Sequence, residues 1–179
     1  MEAVALTNHD LEIQDVEYRR DGDTPLLLRL FKPSGAGPFP LIVELHGGAW
    51  CRGDRTNDTL LNEALARSGV VVAALDWRMP PAASYPASLA DINYAVRWLK
   101  ARAGELRSRP ELVGIMGSSS GGHQAMLAAM RPRSPLLGVT ARCRCRRDRA
   151  LRRTLLAGHR SARTLRICQR SQETRRHPR

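Results

Sequence analysis

Short apolar runs alternate with amphipathic segments along the first 130 residues of the chain. Three runs, at 41–45, 70–75 and 112–116, are bounded by Gly, Pro or polar residues and have the length of buried strands. Residues 13–20 and 26–32 predict a strand or hairpin pair, and helices are predicted over 56–67, 86–103 and 122–130. Asp54 or Thr56 would cap the first helix.

This order of elements predicts the fold class. Strands that alternate with helices are typical of an α/β fold, in which a mostly parallel sheet carries helices on both faces. We therefore expect residues 1–133 to form the N-terminal part of one such domain.

The sequence GSSSG at 117–121 predicts a sharp turn between the strand 112–116 and the helix that follows. Such a turn holds its central residue, Ser119, in a strained backbone conformation, and side chains at the flanking glycines would clash with the neighbouring strand and helix. Ser119 Oγ would then lie exposed at a helix N-terminus, where backbone N–H groups favour a developing negative charge. Ser119 is therefore a candidate nucleophile, although G-x-S-x-G also occurs by chance in loops.

A second glycine motif follows the predicted strand 41–45, in the sequence HGGAW at 46–50. Gly47 and Gly48 have no side chains to keep a ligand away from their backbone N–H groups. Two such donors after a strand are typical of an oxyanion hole, and the alternative is a plain Gly-Gly turn. His46 is expected to be a structural hydrogen-bonding residue rather than a base.

Three segments together carry a family resemblance: HGGAW at 46–50, GSSSGGH at 117–123 and the stretch 76–100. They resemble the α/β-hydrolase superfamily, in the branch of hormone-sensitive-lipase-like esterases and small carboxylesterases. In the third segment, DWRM at 76–79 resembles the family's Asp-Tyr-Arg-Leu, and Pro86, Asp91 and Trp98 occupy matching positions. The resemblance covers roughly residues 10–133.

This resemblance implies a carboxylic ester hydrolase for small-molecule esters, with amides as an open alternative substrate. Ser119 would attack the carbonyl, and the N–H groups of Gly47, Gly48 and Ser120 would hold the oxyanion. It implies no cofactor and no metal.

The family's acid and base follow the nucleophile in the chain. After Ser119 the sequence has two acids, Asp148 and Glu173, and three histidines, His123, His159 and His177. His123 is four residues along the helix from Ser119 and is expected to be a packing residue. The order Ser119, Asp148, His159 leaves no room for a strand between acid and base, so the chain is expected to be inactive as it stands.

The region 134–179 has a different composition. From residue 131 onwards the chain has sixteen Arg, no Lys and two acids, whereas residues 1–130 are slightly acidic. The region lacks aromatic residues and apolar periodicity, so we expect it to be disordered, and its composition is typical of GC-rich DNA read in a shifted frame. The later strands of the domain would then be missing, and the strand before Ser119 would lie at a sheet edge.

An Arg-rich region also supports an alternative function, a non-catalytic protein that binds nucleic acid or another polyanion. Binding that is sequence-selective at physiological salt would favour it, and we expect no specific nucleic acid on the main hypothesis.

The N-terminus, the apolar runs and the cysteines predict where in the cell the protein works and how its thiols are used. The N-terminus lacks a signal peptide, no apolar run is long enough to span a membrane, and four irregularly spaced cysteines favour the cytoplasm. Cys51 is expected to be a buried or pocket-wall thiol, while Cys143, Cys145 and Cys168 are weak metal candidates. Oligomeric state is left open.

Overall fold

A five-stranded mixed sheet organises residues 8–130, the part of the chain that the computed structural model describes. The strands are β1 (Leu11–Asp21), β2 (Thr24–Pro33), β3 (Leu41–Leu45), β4 (Val71–Leu75) and β5 (Val113–Gly117), and the helices are α1 (Thr59–Arg67), α2 (Ala87–Ala101) and α3 (Ser119–Met130). The predicted boundary at residues 133–134 and the predicted disorder of 134–179 lie outside the described residues.

The strand order is β1-β2-β4-β3-β5. β1 and β2 form an antiparallel hairpin and β2 pairs antiparallel with β4, while β3 pairs parallel with both β4 and β5. The predicted parallel βαβ units are confirmed for β3, β4 and β5. Within the described residues β5 pairs with β3 alone, and the predicted edge position of the strand before Ser119 stays a prediction.

Side chains alternate between the two faces of the sheet, as strand geometry requires. On one face, Phe31, Val72 and Ala74 pack against Ala66 of α1. On the other face the larger core forms around α2 and α3, with the buried members Leu28, Leu30, Leu41, Val43, Leu45, Val71, Ala73, Leu75, Leu89, Ile92, Ala95, Leu99, Ala125 and Ala128. Helices therefore cover both faces, which confirms the predicted layers.

The start of α1 differs from the expectation. The helix begins at Thr59, not Thr56, and its N-cap residue Asp58 makes no capping hydrogen bond with its side chain. Asp54 instead accepts hydrogen bonds from the backbone N–H and the hydroxyl of Thr56, at 2.7 and 2.5 Å. Asp54 thus stabilises the turn that precedes the helix, because its short carboxylate reaches the N–H group two residues on.

Two ion-pair clusters fix the loop after β4. Arg78 forms a bidentate pair with the fully buried carboxylate of Asp91 on α2 at 2.8 and 2.9 Å, and Arg19 of β1 reaches the same carboxylate at 2.7 Å. Asp76 pairs with Arg55 at 2.8 Å. Asp91 holds the loop and β1 against α2 through its ion pairs with Arg78 and Arg19.

We expect Asp91→Ala to lower the free energy of unfolding by about 2–3 kcal/mol, because it leaves two arginines without their buried partner. The control is Glu17→Gln, which removes an exposed carboxylate paired with Arg20 and should cost less than about 0.5 kcal/mol. Urea unfolding monitored by tryptophan fluorescence measures both. Equal losses in the two variants would show that the buried pair does not stabilise the fold.

Candidate active site

The turn between β5 and α3 holds Ser119 in an unusual backbone conformation. Ser119 has φ of +48°, a region that non-glycine residues seldom occupy, and its side chain is exposed. The turn is closed by the carbonyl of Ser118, which accepts hydrogen bonds from the N–H groups of Gly121 and Gly122 at 2.8 and 3.2 Å. Ser119 therefore lies at the first residue of α3, as the spacing predicted.

The two flanking glycines have no space for a side chain. A Cβ atom on Gly121 would lie 2.0 Å from the carbonyl oxygen of Leu45 and 2.4 Å from that of His46. A Cβ on Gly117 would lie 2.6 Å from the backbone carbon of Gly121. The close approach of α3 to the end of β3 therefore requires glycine at both positions, which confirms the steric prediction.

The loop after β3 lies against this turn. A Cβ on Gly47 would be 3.2 Å from Ser118 Oγ and 3.4 Å from Ser119 Cβ, and Gly48 has φ of +136° with no room for a side chain beside the carbonyl of Arg52. Within residues 8–130, the N–H groups of Gly47, Gly48 and Ser120 donate no backbone hydrogen bond outside regular helices and strands. The structure thus brings the four candidate residues together at the carboxyl ends of two adjacent parallel strands.

His46 holds this loop in place. Its ring is buried, stacks on Trp77 with centroids 3.9 Å apart, and donates from Nδ1 to the carbonyl of Gly47 at 2.6 Å. Gly53 packs so closely that a Cβ there would lie 2.5 Å from His46 Nδ1. These contacts agree with the structural role expected for His46, and they place Trp77 in the core.

Trp50 and His123 meet at the surface beside the turn. The indole of Trp50 is half exposed and donates from Nε1 to His123 Nδ1 at 3.3 Å. The two rings make an edge-to-face contact with centroids 5.7 Å apart, so His123 does pack against a neighbour. Cys51 is exposed, so the expectation of a buried thiol is wrong, whereas the alternative of a pocket-wall thiol stays a prediction. Cys143, Cys145 and Cys168 lie outside the described residues, as do Asp148, His159, Glu173 and His177.

A buried carboxyl group near the turn was missed by the sequence analysis. Glu44 of β3 is 1% exposed, and its Oε2 accepts a hydrogen bond from Asn62 Nδ2 at 3.4 Å. Burial, together with the nearby carboxylate of Asp58, raises the pKa of Glu44 to about 7. The signal was available, because an acid in the middle of the run LIVEL is unexpected in a buried strand.

Among the described residues, no three His, Cys, Asp or Glu side chains converge as ligands for a metal ion. No helix in the same part of the chain is long and apolar enough to cross a membrane.

The mixed sheet, the strand–turn–helix at Ser119 and the glycine loop beside it define an α/β-hydrolase fold. The family model BD-FAE matches residues 28–143, and the chain belongs to this family of carboxylesterase-like α/β-hydrolases. The probable carboxylic ester hydrolase LipM of Mycobacterium tuberculosis is 33% identical over 128 residues, which cover 71% of this chain and 30% of that protein. Carboxylesterase NlhH of the same organism is 29% identical over 126 residues, 69% of this chain and 40% of that protein.

Solved esterase structures show the same likeness. A bacterial heroin esterase superposes with a TM-score of 0.64 at 27% identity, over 69% of this chain and 40% of that one. The carboxylesterase EstE1, cloned from a metagenomic library, gives 0.62 at 27% identity, over 72% of this chain and 44% of that one. The chain thus spans between about a third and a half of the length of the relatives it matches.

Gly121→Ala should lower the free energy of unfolding by more than about 2 kcal/mol, because its Cβ would overlap two carbonyl oxygens. Gly114→Ala in β5 is the matched control, since a Cβ there meets nothing within 4 Å. Urea unfolding of both variants compares them. If Gly121→Ala is no less stable than Gly114→Ala, the close packing of α3 on β3 is wrong.

Glu44→Gln should stabilise the protein at alkaline pH. The native state retains a proton on Glu44 up to about pH 7, whereas the unfolded chain releases it near its ordinary value of 4.5. Wild-type stability should therefore fall as pH rises between these values, by up to about 3 kcal/mol, and the neutral glutamine should remove that slope.

Unfolding free energies at about pH 5 and pH 8 measure this effect, with the exposed Glu105→Gln as a control for the loss of one charge. If the difference in unfolding free energy between the wild type and Glu44→Gln is the same at both pH values, the prediction is wrong.

Proposed function

We propose that the chain is the nucleophile-bearing part of a serine hydrolase for carboxylic esters. Ser119 is the nucleophile, and the N–H groups of Gly47, Gly48 and Ser120 bind the oxyanion. The observation that carries the proposal is the exposed Ser119 at φ +48°, with the glycine loop of β3 packed against it. Names of relatives such as carboxylesterase NlhH support ester bonds as the substrate class, with amides as an alternative.

The geometry fits the stabilisation of a tetrahedral intermediate. An alkoxide that forms on an ester carbonyl needs two or three N–H donors that are not used elsewhere and are held rigidly. Gly47 and Gly48 follow β3 directly, and Ser120 occupies the second position of α3, where a helix leaves its N–H free. The positive end of the α3 dipole adds to this field.

Proton transfer is the step that the described residues do not provide. Of the histidines between residues 8 and 130, His9 is bound to the carbonyl of Ser34, His46 to that of Gly47 and His123 to Trp50, and none bonds to Ser119. A serine hydroxyl without a base is a weak nucleophile. We therefore propose that the 179-residue chain hydrolyses esters far more slowly than an esterase with a full triad, at a residual rate of roughly 10³-fold over water from the oxyanion hole and binding.

A fluorophosphonate probe tests the proposal, because it reacts with a serine that an oxyanion hole assists and needs no turnover. We expect a slow covalent adduct that peptide mass spectrometry maps to Ser119, its loss in Ser119→Ala, and its retention in Ser34→Ala, an exposed serine in the loop after β2. An adduct that persists in Ser119→Ala, or none in the folded wild type, would show that Ser119 is not the nucleophile.

Polyanion binding is the second hypothesis, and it depends on the composition of residues 131–179, which the structure does not describe. A chain that binds one nucleic-acid sequence selectively at physiological salt and gives no Ser119 adduct would favour it.

A further inference from the structure

Two adjacent residues in the loop after β3 have a backbone conformation that their side chains disfavour. Ala49 has φ of +52° and Trp50 has φ of +62°, a region that glycine occupies readily and other residues seldom do. The N–H group of Cys51 donates to the carbonyl of Gly48 at 3.2 Å, so these four residues form a tight turn with positive φ at both central positions. Such turns usually contain Asn or Gly, and the pair Ala-Trp therefore needs a contact that holds it in place.

The indole of Trp50 makes that contact. It donates from Nε1 to Nδ1 of His123 at 3.3 Å, and the two rings meet edge to face with an angle of 87° between their planes. An indole N–H group can only donate, so His123 Nδ1 is the acceptor and carries no proton in this contact. Among residues 8–130, no other hydrogen bond joins the loop 47–53 to α3.

The contact lies on the face of α3 that carries Ser119. Residues four positions apart in a helix are neighbours on one face, and His123 follows Ser119 by four positions. At the other end of the loop, the buried ring of His46 donates to the carbonyl of Gly47 at 2.6 Å. Gly47 and Gly48 therefore lie between two side-chain contacts, one in the core and one on the helix that begins at Ser119.

We propose that Trp50 is a positioning residue whose hydrogen bond to His123 holds the loop 47–53 against α3. This contact fixes the N–H groups of Gly47 and Gly48 relative to Ser119. Rigid donors stabilise an oxyanion better than mobile ones, because they need no reorganisation when the charge develops. The role of these donors rests on the proposed function, whereas the attachment of the loop to α3 does not.

Variants at position 123 separate the hydrogen bond from the contact between the rings. His123→Phe keeps an aromatic ring without an acceptor, whereas the side-chain oxygen of His123→Asn can accept where Nδ1 did. The three residues have similar helix propensities, so α3 itself should change little. NMR relaxation dispersion of the full chain at about pH 7.5, where histidine side chains are mostly neutral, measures the motion of the loop.

We expect the backbone amides of Gly47 and Gly48 to show new motion on the microsecond to millisecond timescale in His123→Phe, and wild-type behaviour in His123→Asn. Amides that are as rigid in His123→Phe as in the wild type would overturn the proposal. Equal motion in the two variants would overturn it as well, because packing of the rings, and not the hydrogen bond, would then hold the loop.

Labelling of Ser119 by a fluorophosphonate gives the functional readout. The loss of one hydrogen bond should lower the labelling rate about fivefold in Trp50→Phe and in His123→Phe. The double variant should be no slower than either single variant, because each removes the same contact, and His123→Asn should recover the wild-type rate.

Trp98→Phe is the matched control for the change at Trp50. Trp98 lies in the last turn of α2, which runs back from the carboxyl ends of the parallel strands to their amino ends, and its ring lies 4.2 Å from the guanidinium of Arg102. Its replacement should leave the labelling rate unchanged.

Three outcomes of the labelling experiment contradict a part of the proposal. Equal rates in the wild type and Trp50→Phe would overturn the positioning role. Rates that fall independently in the double variant would show that Trp50 and His123 do not act through one contact. If the wild type and all variants remain unlabelled, the proposed role of Ser119 fails, and the NMR measurement still decides whether the hydrogen bond holds the loop against α3.

Discussion

The contact between the start of α3 and the end of β3 is the constraint on which the rest of the site depends. Gly121 lies so close to the carbonyl oxygens of Leu45 and His46 that no side chain fits between them. Because the helix approaches this far, the chain must turn within two residues after β5, and Ser119 takes a positive φ. The same approach brings the loop of Gly47 beside the turn, so one steric fact places the proposed nucleophile Ser119 and the proposed N–H donors together.

The two strands that carry the candidate site, β3 and β5, differ in how many neighbouring strands they pair with among the described residues. β3 is paired on both sides and carries the glycine loop, whereas β5, which carries the turn, pairs within the described residues only with β3. Among the described residues, the turn after β5 is held by the close packing of Gly117 and Gly121 and by the N–H group of Ser118, which donates to the carbonyl of Leu45 at 3.2 Å.

Much of this arrangement follows from local sequence chemistry. Short apolar runs predicted β3, β4 and β5 to within a residue or two, and GSSSG predicted the turn because only glycine tolerates such close backbone contacts. Contacts between distant segments could not be predicted in this way. Asp76 pairs with Arg55 and Cys51 is exposed, because ion-pair partners and the exposure of a loop depend on the assembled fold and not on spacing. The contact of Glu44 with Asn62 was likewise hidden, since the two side chains meet only when α1 packs on the sheet.

A serine hydrolase must stabilise an oxyanion and move a proton, and these two tasks place different demands on the described residues. Stabilising an oxyanion requires rigid backbone donors, and on the proposed function the glycine turns after β3 and β5 supply them from segments that are local in sequence. Moving a proton requires an imidazole within hydrogen-bonding distance of the hydroxyl, and His46 cannot provide it because its Nδ1 holds the loop and its ring is stacked on Trp77. The buried acid Glu44 cannot replace it either, since its side chain is 1% exposed and accepts a hydrogen bond from Asn62 of α1. On the proposed function, the described residues present Ser119 for attack but leave its proton without an acceptor among residues 8–130, so the proposal predicts a reaction limited by proton transfer rather than by binding of the oxyanion.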